Sequence, residues 1–311
     1  MKTGTIKGYL CVMAAALLWA SNGTIGKALF NAGMSPFVLV QTRVMLSAAI
    51  LTLVLSVWRP ALLKIRLRDI GHLLLFGGVF MALMQLSYFF AISKIQVAAA
   101  ILVQYLAPAL VACYSMLFWH ERVTFLKVLA LLLSVAGCYL VVGGYNLSLL
   151  TMNRVGIMWA LLSAVAFAST TLLSEKGMHQ YNPWTVLAYG FLFSSLSLNI
   201  VQRPLSVLSQ SYTPTQWASI LYVGVFGTLI PFGLYLAGVN HIRSTRAIIT
   251  ATLEPIAAAF MAFFLLGESL SSLQIAGGLS VIIAIVLLQW EREHDILSPE
   301  TIRAQKKGTP L

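Results

Sequence analysis

The chain has 311 residues, of which 59% are hydrophobic and only 9% are charged. A soluble domain carries about 25% charged residues, so this composition excludes an ordinary soluble protein and predicts an integral protein of the lipid bilayer. The formal net charge of +11 would suggest a nucleic-acid ligand if the protein were soluble. Loops that stay in the cytoplasm explain the charge instead, and no nucleic-acid-binding pattern is present.

Ten apolar segments follow one another along the chain, and a spanning helix needs about 20 such residues. They cover approximately residues 8–30, 35–57, 70–92, 96–118, 124–143, 155–175, 183–201, 215–238, 246–266 and 270–290. The breaks carry charge, proline or glycine, and several are so short that neighbouring helices must be antiparallel. The first segment has no clear cleavage site and is interpreted as a retained helix, not a signal peptide.

The positions of Lys and Arg predict how these segments cross the membrane. If the N-terminus is cytoplasmic, fifteen of the 20 basic residues lie on the cytoplasmic side, four lie outside, and Arg43 lies within the second segment. Basic residues concentrate in cytoplasmic loops. The sequence therefore predicts an all-α membrane protein with ten transmembrane helices and both termini in the cytoplasm.

A shift of 147 residues aligns the second half of the chain with the first. The aligned pairs include Tyr88 with Tyr235, Pro108 with Pro255 and Glu121 with Glu268. We predict two five-helix repeats, 1–145 and 152–292, followed by a short cytoplasmic tail, 293–311. Because five is an odd number, the second repeat would enter the membrane inverted. Secondary transporters have this architecture and bind substrate near the midplane, between the repeats.

The stretch from Arg246 to Leu270 is long and apolar enough to span, yet it carries Glu254 and Pro255 near its middle. A charge at the centre of a spanning helix costs about 2.5–3.5 kcal/mol on insertion scales. The proline also removes a backbone hydrogen bond. Both features are tolerated where a helix faces protein or a water-filled cavity. We interpret Glu254 as part of a polar pathway, with an interhelical hydrogen bond that fixes packing as the alternative.

Three segments resemble the EamA branch of the drug/metabolite transporter superfamily. They are LEPIAAAFMAFFLLGESLSSLQIAGG in the second half, its copy LAPALVACYSMLFWHERVTFLKVLALLLSVAGCYLVV in the first half, and LLWASNGTIGKALF in the first span. The resemblance implies a transporter of two inverted five-helix repeats, of a kind that often exports amino acids or related metabolites. It also implies that spans 1–4 and 6–9 line the cavity, with spans 5 and 10 at the periphery.

Two departures from that pattern predict an asymmetric site. Ala107 stands in the first half where the second half has Glu254, and 166–169 in span 6 lacks the tryptophan of the span 1 motif. The two halves are therefore not equivalent.

Arg43 is the second ionisable group that the sequence places inside a span. A guanidinium binds a carboxylate through two parallel hydrogen bonds, so Arg43 is a candidate anchor for an acidic or zwitterionic substrate, or a partner for Glu254. The alternatives are a clamp on backbone carbonyls and a side chain that extends to the interface. Glu254 is a candidate for binding a substrate amine or for taking up a proton.

The other candidates are polar or aromatic side chains within spans, such as Ser21 and Asn22, which interrupt the first span. Ordinary helix packing is their alternative role, or an interfacial aromatic belt for Tyr88 and Tyr235. The predicted substrate-binding residues are Trp19, Ser21, Asn22, Arg43, Tyr88, Gln104, Tyr105, Ser169, Tyr235, Thr250 and Glu254.

The sequence favours a secondary transporter that exports amino acids or related small metabolites across the bacterial cytoplasmic membrane by alternating access. Cationic drugs, sugars and cofactors remain open as substrates. An intramembrane enzyme is disfavoured, because paired aspartates and a Gly-x-Ser-x-Gly elbow are missing and the five histidines lie at or outside span ends. We predict a small-molecule substrate, no cofactor and no metal. We also expect a homodimer through spans 5 and 10, where Gly277-Gly278 permits close helix approach.

Overall fold

The computed structural model describes residues 3–120, 124–141, 144–145, 153–266, 271–290 and 298–306, and within these ranges every regular element is a helix. Among the described residues, seven helical stretches are long and apolar enough to cross a membrane, and two shorter apolar helices accompany them. The protein is thus an all-helical, multi-pass membrane protein. The number of ten crossings stays a prediction, and Glu121 and Glu268 lie outside the described residues.

The described residues of the first part of the chain form seven α-helices. They are α1 (Thr3–Asn31), α2 (Pro36–Trp58), α3 (Ile70–Leu74), α4 (Ala82–Lys94), α5 (Val97–Gln104), α6 (Ala107–Phe118) and α7 (Phe125–Val141). A π-helical segment, Leu75–Met81, joins α3 to α4.

The described residues of the second part of the chain form seven further α-helices. They are α8 (Arg154–Met178), α9 (Pro183–Val201), α10 (Pro214–Gly224), α11 (Ile230–Thr250), α12 (Leu253–Leu266), α13 (Ser272–Trp290) and α14 (Pro299–Lys306). Another π-helical segment, Val225–Leu229, joins α10 to α11.

Several helices begin where the sequence supplies a proline and a capping side chain. Pro36 and Pro183 occupy the first turns of α2 and α9, where the missing N–H would have had no partner in any case. The Thr213 hydroxyl accepts a hydrogen bond from the Gln216 N–H, and the Gln216 side chain bonds back to the Thr213 N–H. This capping box fixes the start of α10.

The helix ends agree with the predicted spans in some places and extend beyond them in others. Helix α1 runs through the polar residues Ser21 and Asn22 without a break, as the single predicted span 8–30 requires. Helix α8 continues past residue 175 to Met178. The break expected between the predicted spans 215–238 and 246–266 is confirmed, because Arg243 in α11 has a non-helical backbone, with φ of 69° and ψ of 167°, that separates two helical stretches.

Two predicted spans are instead interrupted in their interior. The span at 96–118 is divided at Tyr105 and Leu106, and the helix across 246–266 is divided at Ala251 and Thr252. Each interruption lies a few residues before a proline that cannot donate a backbone hydrogen bond. The two interruptions lie about 147 residues apart, as do the two π-helical segments.

Two glycines bring α7 and α13 close together, and these helices pack chiefly against each other beside the main core. A Cβ atom added to Gly277 would lie 2.7 Å from the Gly137 carbonyl oxygen and 2.7 Å from Leu140 Cβ. Gly277 therefore serves a contact within the chain. The homodimer through this region stays a prediction.

We expect Gly277→Ala to destabilise the protein by about 1–3 kcal/mol, because the added methyl group must displace the backbone of α7. Gly278→Ala is the matched control, since its Cβ would meet only Ile256 Cγ2, at 3.7 Å. That control should be neutral or stabilising by up to about 1 kcal/mol through helix propensity. Thermal unfolding of the purified protein in detergent measures both, and equal midpoints for the two variants would contradict this packing.

The orientation can be tested with two exposed positions, Lys64 between α2 and α3 and Ser209 between α9 and α10. If the N-terminus is cytoplasmic, an impermeant maleimide should label Ser209→Cys in intact cells. It should label Lys64→Cys only after permeabilisation. The unsubstituted chain, with its three cysteines, sets the background, and the reverse labelling pattern would refute the orientation.

Candidate functional site

A cavity lies among helices from both halves of the chain. Its empty volume is about 420 Å³, which includes its open side. It is lined by Trp19, Asn22, Arg43, Met84, Gln85, Tyr88, Gln104, Phe167, Phe232 and Glu254. Six of these were predicted from the sequence. Five of the ten are apolar or aromatic and five are polar or charged, and a small-molecule site combines such apolar walls with placed polar groups.

Arg43 reaches the cavity from α2 and is only 2% exposed. Its guanidinium carbon lies 4.2 Å from the centre of the Phe89 ring, a cation–π geometry. Its Nη2 donates a hydrogen bond to Gln85 Oε1 on α4. The Nε and Nη1 atoms are buried and have no hydrogen-bond partner among the residues described.

Glu254 reaches the cavity from the first turn of α12 and is 8% exposed. The Tyr105 hydroxyl donates to its Oε2 at 2.9 Å and also lies 2.6 Å from the Ala251 carbonyl oxygen. Pro255 has no N–H to offer that carbonyl, four residues earlier. The single hydroxyl proton of Tyr105 is therefore shared between the carbonyl that the proline leaves open and the Glu254 carboxylate.

Aromatic rings form part of the cavity wall. The Trp19 ring lies 5.1 Å from Phe232 and 5.3 Å from Tyr235, and Phe167 lies 5.8 Å from Tyr235. The Tyr235 hydroxyl is 3.0 Å from Thr171 Oγ1. Tyr88 and Tyr235 are both buried, which argues against the interfacial belt considered for them.

Five predicted residues are not among those that line the cavity. Tyr105 and Tyr235 lie directly behind its surface, as described above. Ser21 bonds to the Leu18 carbonyl and approaches the Tyr222 hydroxyl. Ser169 and Thr250 each donate to the carbonyl four residues earlier in their own helix. Of these last three hydroxyls, only that of Ser21 approaches a residue of another helix, as the packing alternative expects, while those of Ser169 and Thr250 bond within their own helices.

Four lining residues were missed: Met84, Gln85, Phe167 and Phe232. For Gln85, the sequence did offer a signal, because it is a glutamine within an apolar span and an amide buried in a membrane needs a hydrogen-bond partner. Nothing in the sequence distinguishes the other three from core residues.

A buried ion pair closes the bundle at the end where the N-terminus lies. The fully buried Glu175 of α8 accepts from Arg243 Nε at 2.9 Å and from the Ser244 backbone N–H at 2.6 Å. The Arg243 guanidinium also lies 5.5 Å from the Trp119 ring of α6. Glu175 ends the predicted span 155–175 and Arg243 lies between two predicted spans, whereas the structure buries both side chains.

The helix α14 packs against this closed end. Arg303 Nη1 donates to the Met178 and Tyr181 carbonyls and to Asn240 Oδ1. Burial lowers the pKa of His179, which follows α8, although the nearby Glu175 acts in the opposite direction. The His179 ring is therefore neutral at neutral pH, and its 4.0 Å approach to Glu175 is not an ion pair.

A family model described as the EamA-like transporter family matches residues 6–143 and, a second time, residues 154–290. The chain belongs to the EamA-like transporter family. A solved structure covers 92% of the chain and 97% of its own length with a TM-score of 0.70 at 17% identity, which shows the fold alone.

Three relatives from this family of transporters are similar over most of their length. An uncharacterised transporter of Archaeoglobus fulgidus is 34% identical over 74% of this chain and 82% of its own. The uncharacterised inner membrane transporter YicL of Salmonella typhimurium is 28% identical over 91% and 95%. The pseudopaline exporter CntI of Pseudomonas aeruginosa is 27% identical over 70% and 74%.

We expect Glu175→Ala to destabilise the protein by about 3–5 kcal/mol, because it leaves the buried Arg243 charge without its carboxylate. Glu300→Ala is the control, since that carboxylate is half exposed beside His241 and should contribute less than about 1 kcal/mol. Unfolding in mixed micelles with increasing denaturing detergent would compare them. Equal stability of the two variants would show that the Glu175 pair is not structural.

Proposed function

We propose that this EamA-like transporter is a secondary transporter that exports amino acids or related small metabolites across the bacterial cytoplasmic membrane by alternating access. The observation that carries the proposal is the cavity itself, in which a buried arginine from one half and a buried glutamate from the other share one aromatic chamber. Ionisable groups at membrane depth are costly and mark substrate or ion routes.

The chemistry of the two charges fits a zwitterion. A guanidinium is suited to a carboxylate, and a carboxylate such as Glu254 is suited to an ammonium group. Neither Arg43 nor Glu254 forms an ion pair with a carboxylate or a basic group among the residues described. A ligand that carries both charges would compensate both groups at once.

Alternating access is supported by the repeated organisation of the chain. The family model matches two stretches of similar length, and the helix interruptions recur at the spacing of the predicted repeats. Inverted repeats that rock around a midplane site are typical of secondary transporters. Because the Glu175–Arg243 pair closes the cytoplasmic end in the predicted orientation, the cavity of this state would open towards the outside.

Export as the direction of transport is supported by one relative, because CntI is named an exporter. The chain also contains no Walker-type nucleotide motif, which favours a secondary process over a primary pump.

A cationic substrate is the second candidate. Glu254 and the faces of Trp19, Phe167 and Phe232 form a carboxylate with an aromatic wall, an arrangement that attracts cations. The positive charge of Arg43 in the same chamber opposes a purely cationic ligand, so we favour the zwitterion.

The test is efflux of labelled amino acids from proteoliposomes, with and without an imposed pH gradient. We expect saturable flux in the wild type and at least about a tenfold loss with Glu254→Gln, which removes a charge-assisted contact but keeps the side-chain shape. Stimulation by the gradient that disappears in this variant would support proton coupling.

Glu300→Gln is the matched control, because it makes the same chemical change on the half-exposed surface and should leave flux intact. Unchanged flux in Glu254→Gln would assign Glu254 to packing. Flux of cationic compounds, with none of any amino acid, would favour the second candidate.

A further inference from the structure

We propose that Arg43 and Gln85 together form a carboxylate-binding subsite on the α2–α4 side of the cavity. This inference rests on the proposed transport function and deepens it, since it assigns the chemical group that one end of the substrate must carry. It also adds Gln85, a residue that the sequence analysis did not select.

The subsite consists of hydrogen-bond donors without acceptors. Arg43 Nε, Arg43 Nη1 and Gln85 Nε2 are all buried, and none has a hydrogen-bond partner among the residues described. Arg43 is 2% exposed and Gln85 is 1% exposed, so the surrounding protein replaces most of their water. A buried polar group without a partner is costly, and a charged one is more costly still. A ligand rich in acceptor oxygens would remove that cost.

The orientation of the Gln85 amide follows from its neighbour. A guanidinium contains only donors, so the amide must turn its oxygen towards Arg43 Nη2. The amide nitrogen then becomes a further donor beside the guanidinium. The cluster therefore offers N–H groups of two residues, with one positive charge, to a single ligand.

The guanidinium is held in place before any ligand arrives. Phe89 lies against its face at 4.2 Å, and Gln85 holds one of its nitrogens. Phe89 itself is fully buried and contacts Phe30 and Tyr88 edge to face. A preorganised donor cluster loses little conformational freedom on binding, which favours affinity and selectivity.

The negative charge at the cavity is that of Glu254, which comes from α12 in the other half of the chain and is bonded to Tyr105. A small ligand with a carboxylate at one end and an ammonium at the other would therefore bind in one orientation. A decarboxylated amine would leave the Arg43 and Gln85 donors without acceptors. A site built to hydrogen-bond a group strongly rejects the analogue that lacks it.

The experiment measures the thermal unfolding midpoint of the purified full-length protein in lipid nanodiscs during ligand titration. The carboxylate probes are L-leucine, L-phenylalanine, L-glutamate and 4-methylpentanoate, which is leucine without its amine. The matched amine is 3-methylbutylamine, which is leucine without its carboxylate. Sodium chloride and inorganic phosphate form a separate arm for inorganic anions.

We expect a saturable rise of the midpoint with at least one carboxylate probe. 3-Methylbutylamine should bind at least about tenfold more weakly than leucine or not at all. Equal stabilisation by the amine, an effect of chloride or phosphate alone, or no effect of any carboxylate would each overturn the subsite.

Gln85→Glu separates ligand binding from a structural role. The new carboxylate would occupy the subsite from within, so the empty protein should be at least as stable as the wild type while its response to carboxylates is lost. Gln216→Glu makes the same substitution in the capping box of α10 and should keep the full response. Lower stability of Gln85→Glu with an unchanged ligand response would overturn the proposal.

Arg43→Lys provides the second variant. It keeps the positive charge but loses the planar array of donors, so carboxylate affinity should fall at least about tenfold. An unchanged affinity would overturn the role of the guanidinium.

The two proposals fail in different ways. Carboxylate binding without flux would support the subsite and refute transport of that compound. Flux of a compound without an anionic group, in a protein that shows no response to carboxylates, would support transport and overturn the subsite.

Discussion

The cost of burying a charge away from water is the constraint on which this structure depends. The chain buries charged side chains in two different arrangements. At the closed end of the bundle, Glu175 receives hydrogen bonds from Arg243 and from the backbone of Ser244, so the ion pair is satisfied within the protein. At the cavity, Arg43 and Glu254 are buried, and neither forms an ion pair with another residue in the described part of the chain. The first arrangement stabilises a contact between helices, and the second leaves interaction energy available to a ligand.

Interrupted helices supply the polar geometry of the cavity. A proline within a span frees a carbonyl group, and in a membrane that group must find another partner. Tyr105, beside the first interruption, reaches the Ala251 carbonyl and the Glu254 carboxylate, both beside the second. Tyr105 of the first interrupted helix thus supplies its hydroxyl to polar groups of the second, across the two halves. A movement of one half against the other would exchange these bonds, which connects the local chemistry of the prolines to the proposed transport cycle.

In another part of the molecule, two helices are held together by close packing of their backbones instead of by polar contacts. The Gly137–Gly277 contact brings the backbones of α7 and α13 together, beside the main core and apart from the cavity. Dispersion contacts and small residues drive such helix association in lipid, where the hydrophobic effect between helices is weak. Helices α7 and α13 thus form a closely packed pair beside the polar cavity, and their outward faces remain available for contact with the bilayer.

The sequence by itself determined the membrane class, the positions of most helices, the family resemblance and six residues of the cavity. Apolar length, charge and proline are local properties, and the cost of burying charge pointed directly to Arg43 and Glu254. Only the tertiary structure decided which polar groups have partners. It buried Glu175 and Arg243 as a pair, turned Ser169 and Thr250 to carbonyls of their own helices, and brought Gln85 to Arg43. Those outcomes depend on contacts between residues distant in the chain, which no local pattern encodes.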